Sequence, residues 1–380
     1  MIRIKSDKII AGEKLFDGYV YIDGEVITDV TAEKREADEC YDLTGKFVSP
    51  GFIDSHTHGG LGVSFYNSSA DDVTKACNFH LTHGTTTVFP TVIACAFEEI
   101  VRSMEFITEA IESGNIKSNV PGAHIEGPYL SKEQCGAQVP RFITPPVKDE
   151  YESIIERFGK YVKRWTYAPE NDNGGNFCRY ITSHGVLASA GHSNAKYPDM
   201  CVAIDNGCNL ITHLYSCVST VTRNNGFRSL GVIESAFLRD ELNVELIADG
   251  KHLPPDLIKM IIKIKGTDRV ILTTDSIEAA GTNEPRGRFS DTEYIIEDGV
   301  AKLTDRSAFA GSIATGDVLI RTLTKECGYG IPESVKMLTK NPAKLFLLNK
   351  GEIKKGFDAD IIAFDDDINV SDVFVMGNKI

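Results

Sequence analysis

The sequence has no C-x-x-C pair among its nine cysteines, no G-x-G-x-x-G or P-loop run, and no apolar stretch approaching the roughly 20 residues of a membrane-crossing helix. Nine is an odd number, and the thiols are scattered, so a disulfide framework is excluded and a reducing cytosol is expected. The opening MIRIKSDKII is too short and too polar for a secretory signal. A cytoplasmic chain without membrane contact is therefore expected. Positive charge is also scarce: Lys+Arg number 40 against 54 Asp+Glu, a net charge of −14. So acidic a chain repels phosphate backbones, which excludes general nucleic-acid binding. One small anionic substrate in a local cationic pocket stays compatible with it. There is no internal repeat and no low-complexity segment. What is present is ordinary for a folded chain, with 42% hydrophobic and 25% charged residues, and disorder is excluded as the main state. A length of 380 residues allows two or three domains, or one α/β barrel with a small appendage.

The two ends differ from the middle. The first fifty residues read as strands and tight turns, with a hairpin signal at Asp23-Gly24. The last thirty-five read the same way, with turns at Lys355-Gly356 and Gly377-Asn378. A small β-sandwich domain assembled from 1–50 plus 344–380 is the expectation, flanking a barrel over 51–343. In that middle, eight apolar runs alternate with helical stretches: SPGFID, TTVFPTV, VPGAHIEG, VKRWTYAPE, GVLASAGH, CNLITHLY, NVELIADG and RVILTTDS. Between them, Ile100, Val101, Met104, Ile107 and Ile111 keep near the helical period, with Gly114 as a stop. Asp71-Asp72 and Ser193-Asn194 are expected as N-caps of two further helices. Eight buried strands alternating with helices predict an α/β fold, the (β/α)8 TIM barrel. The alternative, a doubly wound open sheet, lacks its glycine fingerprint.

The residues that carry chemistry stand at the C-terminal ends of those runs, where a barrel gathers its site. Asp54-x-His56-x-His58 puts two imidazoles on one side of an extended segment, able to grip one cation. Glu126 ends the third run, and a carboxylate there can bridge two metals or ligate one. His192 and His213 supply two more nitrogen donors. Two His and one carboxylate with an open position is the form a hydrolytic metal takes. Asp275 ends the last strand, where it can accept a proton from water or act as a ligand; His252 stands after the seventh. Each has a bland explanation when taken alone: a surface H-x-H, a salt-bridging Glu, core histidines, an Asp N-cap. Their shared position at strand ends is what turns the set into a metal centre. His80, His83 and His184 fall away from those ends and read as structural, and His124 reads as backing for Glu126. Cys217 is close enough to His213 to touch a substrate, though a small buried thiol is its plainer reading.

The runs PGFIDSHTHG, AHIEGPYL, SAGHS, THLY, ADGKH, TTDSIEAAG, FAGSIATGD and KGFDADIIAFD, in that order, resemble the N-acetylglucosamine-6-phosphate deacetylase family of the amidohydrolase superfamily. The resemblance covers nearly the whole chain. It implies a metal-dependent hydrolase that removes the acetyl group of an amino-sugar phosphate. Glu126, His192 and His213 are implied as ligands of a principal divalent metal. His56 and His58, with Glu126, are implied for a second; Asp275 adjoins the metals and serves as general base and acid. His252 is implied to contact the substrate and polarise the acetyl carbonyl, and Phe309 to line its pocket. Mixed His and carboxylate ligation suits zinc first, and also iron, manganese or cobalt. A homodimer, or a tetramer, is implied as well.

Departures from the family pattern fall on substrate contacts and spare the metal ligands. Ser216-Cys217 stands where the family has an Asn and its neighbour for the sugar phosphate. Arg223 lies one position from the arginine that reaches phosphate across a subunit boundary, and Arg228 is a second candidate. Gln138 replaces a substrate-binding His. The implied substrate is N-acetylglucosamine 6-phosphate. The alternatives are the galacto epimer, another N-acyl or cyclic amide, and, in a different class, a non-catalytic sugar-phosphate binder.

Overall fold

The computed structural model describes residues 1–380. The eight apolar runs form the eight strands of one parallel sheet: β1 (Phe52–Thr57), β2 (Thr85–Val92), β3 (Ala123–Glu126), β4 (Val162–Tyr167), β5 (Leu187–Ala190), β6 (Leu210–Ile211), β7 (Asn243–Ile247) and β8 (Val270–Thr273). They pair in chain order. The sheet closes nearly into a ring, because β8 returns to β1: the Thr273 hydroxyl and the Asp275 amide both donate to the His56 carbonyl, at 2.8 and 2.9 Å. Nearly every residue in these strands is buried, which is why they read as continuous apolar runs rather than alternating ones.

Helices pack outside the barrel by the faces their sequences present. In α1 (Phe97–Ser113), Ile100, Met104, Ile107 and Ala110 are buried, and Gly114 ends the helix in the left-handed region at φ 70°. The two expected N-caps are corrected. The helix Ala70–Thr82 is capped by Ser69, whose hydroxyl accepts the Asp72 amide, while Asp71 and Asp72 lie in its first turn. They favour the positive end of the helix without capping it. Ser193 and Asn194 lie outside the helix Tyr197–Asp205, whose N-cap is Lys196. The Ser193 hydroxyl is drawn off to Glu170, at 2.7 Å.

Both termini share a second sheet, in which Phe47–Pro50 pairs antiparallel with Ile361–Phe364 and Ile2–Ala11 lies on the other side of it. A core of twelve residues, among them Ile4, Val48, Ile361 and Phe374, comes from both ends of the chain. The hairpin expected at Asp23-Gly24 forms one residue later, with Gly24-Glu25 in the turn and Asp23 paired with Val26. The last turn falls at Met376-Gly377, one residue earlier than expected, with φ 47° and 77°. One feature was not foreseen: four antiparallel strands between Arg286 and Gly311 follow β8. They place Phe289 and Phe309 over the barrel mouth.

Candidate active site

Strand ends bring the site together. His56 and His58 stand two residues apart at the end of β1, with their Nε2 atoms 3.2 Å from each other. Glu126 is the last residue of β3. His192, His213 and Asp275 follow β5, β6 and β8 with left-handed φ of 45°, 27° and 48°. Non-glycine residues rarely adopt that region, and its concentration here is local strain that turns three side chains into the mouth.

Two donor groups share one carboxylate. His56, His58 and Glu126 form the first, and Glu126, His192 and His213 the second; the ligand atoms within each lie within 4.8 Å of one another. Glu126 Oε1 is 3.2 Å from His192 Nε2 and 3.1 Å from His213 Nε2. Its Oε2 is 3.3 Å from His58 Nε2. Asp275 Oδ1 faces the first group, 3.3 Å from His56 Nε2 and 3.2 Å from His58 Nε2.

The far side of three of the four rings, all but His58, tests whether a metal fits. The Nδ1–H of His192 donates to the Gln134 carbonyl at 2.9 Å, that of His213 to the Ser216 carbonyl at 3.0 Å, and that of His56 to Glu245 at 3.0 Å. A proton held on Nδ1 leaves the Nε2 lone pair pointing inward, the tautomer a metal ligand needs. Four inward-facing nitrogens around two carboxylates, all buried, are a donor set for divalent ions of the zinc type.

Charge agrees with this. Burial pushes the Glu126 carboxyl up, but the surrounding imidazoles, His56 foremost, outweigh it and hold the group well below the usual carboxylate range. Burial likewise lowers His56, yet Glu126, Asp275 and Glu245 reverse that and raise it to about 10. The cluster therefore demands a positive charge at its centre. Below about pH 10 a proton on His56 supplies it when no metal does, so metal and proton compete. Metal affinity is expected to fall as pH falls, by about tenfold per unit for each proton displaced. Chelator competition between pH 6 and pH 9 reads this directly, and a flat affinity across that range would contradict it.

The other histidines are placed elsewhere. His124 backs the site, its ring 4.5 Å from that of His56 and its nitrogens on the Thr91 and Thr166 hydroxyls. His80 is buried in the helix Ala70–Thr82 and hydrogen-bonds the Gly59 carbonyl. His83 faces Asp317, and His184 bonds the Tyr180 carbonyl at the outer surface.

A cavity of about 280 Å³ opens above the donor groups, lined by Gln138, Ser216, Cys217, His252, Phe309, Asp275 and Phe289 among others. Gln138 lies in it, but its amide is engaged: it donates to Glu126 Oε2 at 2.7 Å and accepts from the Ala94 amide at 3.1 Å. It thus steadies a ligand, a task the sequence reading did not give it. His252 Nδ1 is held by Asp249 at 2.8 Å, which turns its other nitrogen toward the cavity, with Phe309 packed edge-on at 4.9 Å. Arg223 and Arg228 face each other on an exposed hairpin, and neither lines the cavity. No Lys or Arg does.

Sequence reasoning missed Glu245, Arg164 and Asp249. The signal was there in a charged residue inside an apolar run, as in NVELIADG and VKRWTYAPE. A fully buried charge needs a partner, and these two are each other's.

A family model described as the amidohydrolase family matches residues 47–380. The chain belongs to that family of hydrolases, which is metal-dependent. Among individual proteins, it is 32% identical over 327 residues to an N-acetylglucosamine-6-phosphate deacetylase of Lysinibacillus sphaericus, covering 85% of this chain and 82% of that one. It is 29% identical to an N-acetylgalactosamine-6-phosphate deacetylase of a Shewanella strain, covering 98% and 89%. A Mycobacterium smegmatis N-acetyl-D-glucosamine-6-phosphate deacetylase, solved as an Asp-to-Ala mutant with its N-acetyl-D-glucosamine-6-phosphate, superposes with a TM-score of 0.92 at 27% identity, covering 100% and 98%.

Proposed function

We propose that this chain hydrolyses the acetamido group of N-acetylglucosamine 6-phosphate, releasing acetate and glucosamine 6-phosphate. The observation that carries this reading is one cavity lined by His58, Glu126, His192, His213, Asp275 and His252, in a chain similar over its full length to deacetylases of that substrate. Glu126, His192 and His213 would hold one divalent ion, and His56 and His58 with Glu126 a second, zinc being the first choice. When bound, the ions supply Lewis acidity, which lowers the pKa of water and polarises a carbonyl.

The chain's own residues do the rest. Asp275, ionised at the rim of the donor groups, accepts the proton of the attacking water. It returns that proton to the amide nitrogen, which leaves poorly as an anion. His252, aimed by Asp249, meets the acetyl group, and as an imidazolium, with a proton on each nitrogen, it donates where negative charge builds in the transition state. Phe309 and Phe289 roof the cavity and limit water. Ser216, Cys217 and the free edge of Gln138 face the sugar.

Because no Lys or Arg lines the cavity, a cation from outside it must neutralise the phosphate. Arg223 or Arg228 of a second copy, in a homodimer, would meet that need. The organisation that accompanies this reading is a small β unit of 1–50 with 344–380 on a barrel of 51–343, in a cytoplasmic chain. A second reading, the galacto epimer as substrate, is favoured by the similarity to the Shewanella relative.

Acetate release by the metal-loaded protein separates these readings. N-acetylglucosamine 6-phosphate is expected to turn over fastest, and the unphosphorylated sugar to lose at least about a hundredfold in kcat/KM, roughly the worth of one charge-assisted phosphate pairing. Faster release from the galacto epimer would replace the proposed substrate. Silence on all three would overturn the deacetylase reading.

A further inference from the structure

We propose that Glu245 is the positioning residue that allows the first donor group to hold its own metal, so that two-metal occupancy depends on it. The inference rests on the two-group metal centre proposed above.

Glu245 is fully buried on β7, and one of its oxygens is a junction. Oε1 accepts from His56 Nδ1 at 3.0 Å, from the His213 backbone amide at 3.2 Å and from Arg164 at 3.1 Å. The other oxygen pairs with the same guanidinium. Arg164 is itself fixed by the Ser189 and Thr212 hydroxyls, at 3.1 and 3.0 Å. The carboxylate therefore cannot swing away from His56.

The four imidazoles are not held alike. His192 and His213 each give their Nδ1–H to a backbone carbonyl, which is neutral. His58 Nδ1 has no partner at all. Only His56 gives its Nδ1–H to a carboxylate. An anionic acceptor strengthens the opposite nitrogen as a donor and fixes the ring more firmly than a carbonyl does. The first group thus has one strongly supported ligand, one unsupported ligand and a carboxylate shared with its neighbour. Its affinity for a cation then rests on His56, and through it on Glu245. The second group meets Glu245 only through the His213 backbone amide, and it keeps Glu126 and two carbonyl-anchored rings when the anion is replaced by the Gln amide, whose oxygen still accepts that amide.

The test is metal stoichiometry and affinity, by equilibrium dialysis against zinc and by the visible spectrum of the cobalt-loaded protein. E245Q removes the anion but leaves Arg164 buried without a countercharge, so the charge-neutral pair R164Q/E245Q is measured beside it, with H56A as reference. Wild type is expected to take two equivalents. The Glu245 variants are expected to take one tightly, with the second weakened about 10–100-fold, the usual worth of such a partner, and to match H56A in stoichiometry. A purely structural role would lower the melting temperature and weaken both sites together, or neither. Two equivalents at wild-type affinities in the folded double variant would overturn the inference alone. Fewer than two in wild type would bring down the two-metal centre, and this inference with it.

Discussion

Glu126→Gln is expected to strip the protein of both metals and to lower acetate release by about a thousandfold or more, while leaving it folded. The expectation follows from one residue serving both donor groups. No other carboxylate reaches the Nε2 atom of His192 or His213, and the Nε2 atoms of the first group would be left with Asp275 alone. Gln keeps the shape and the carbonyl oxygen. The imidazoles and Gln138 therefore retain neighbours of the right size, and no cavity opens. What is lost is the negative charge between four inward-facing nitrogens. Lewis-acid assistance is worth several kcal/mol of barrier, and each 1.36 kcal/mol is about tenfold in rate. Metal analysis after dialysis, acetate release and the melting temperature check the three parts separately. Tight retention of two metals by the folded variant would mean that Glu126 is not the shared ligand.

The barrel was readable from the chain because its strands are buried on both sides. TTVFPTV and RVILTTDS carry apolar and β-branched residues without polar alternation, and the second runs straight into Asp275. The donor set was readable for the same reason: a strand end fixes where His56, Glu126, His192 and Asp275 point, so position along the chain predicts position at the mouth. What failed to show depends on pairing across the barrel. Glu245 and Arg164 lie 81 positions apart, and no local pattern joins them. Gln138 bonds Glu126 from a loop whose course no periodicity encodes. The left-handed turns at His192, His213 and Asp275 are imposed by tertiary contacts, since His and Asp do not demand them as glycine would. The same limit explains the caps: Ser69 competes with Asp71 and Asp72 for one role, and only the backbone course decides which side chain reaches the free amide.

Asp275→Asn is expected to lower kcat by about 10²–10⁴-fold, the range for loss of a general acid and base, with metal at the Glu126, His192 and His213 group retained. The side chain faces the cavity, with its oxygen 3.2–3.3 Å from the two nearest imidazoles. Burial would raise its pKa, but His56, His58 and His213 outweigh burial and hold it below the usual aspartate range. It is therefore ionised at neutral pH and free to take a proton from water. The sign of the acid limb follows: with positive charge beside it, imidazolium or metal ion, the carboxylate stays ionised below the ordinary aspartate pKa, and activity falls as pH drops through the lowered value. Asn matches Asp in size and is at ease at φ 48°, so the turn after β8 keeps its shape. It can still accept a hydrogen bond, but it cannot hold the proton that the amide nitrogen must receive. Loss of kcat with unchanged KM and intact metal content marks Asp275 as the group that moves the proton. Near-normal turnover in the metal-loaded variant would remove it from that role, and would leave His252 as the group facing the same cavity that could carry the proton instead.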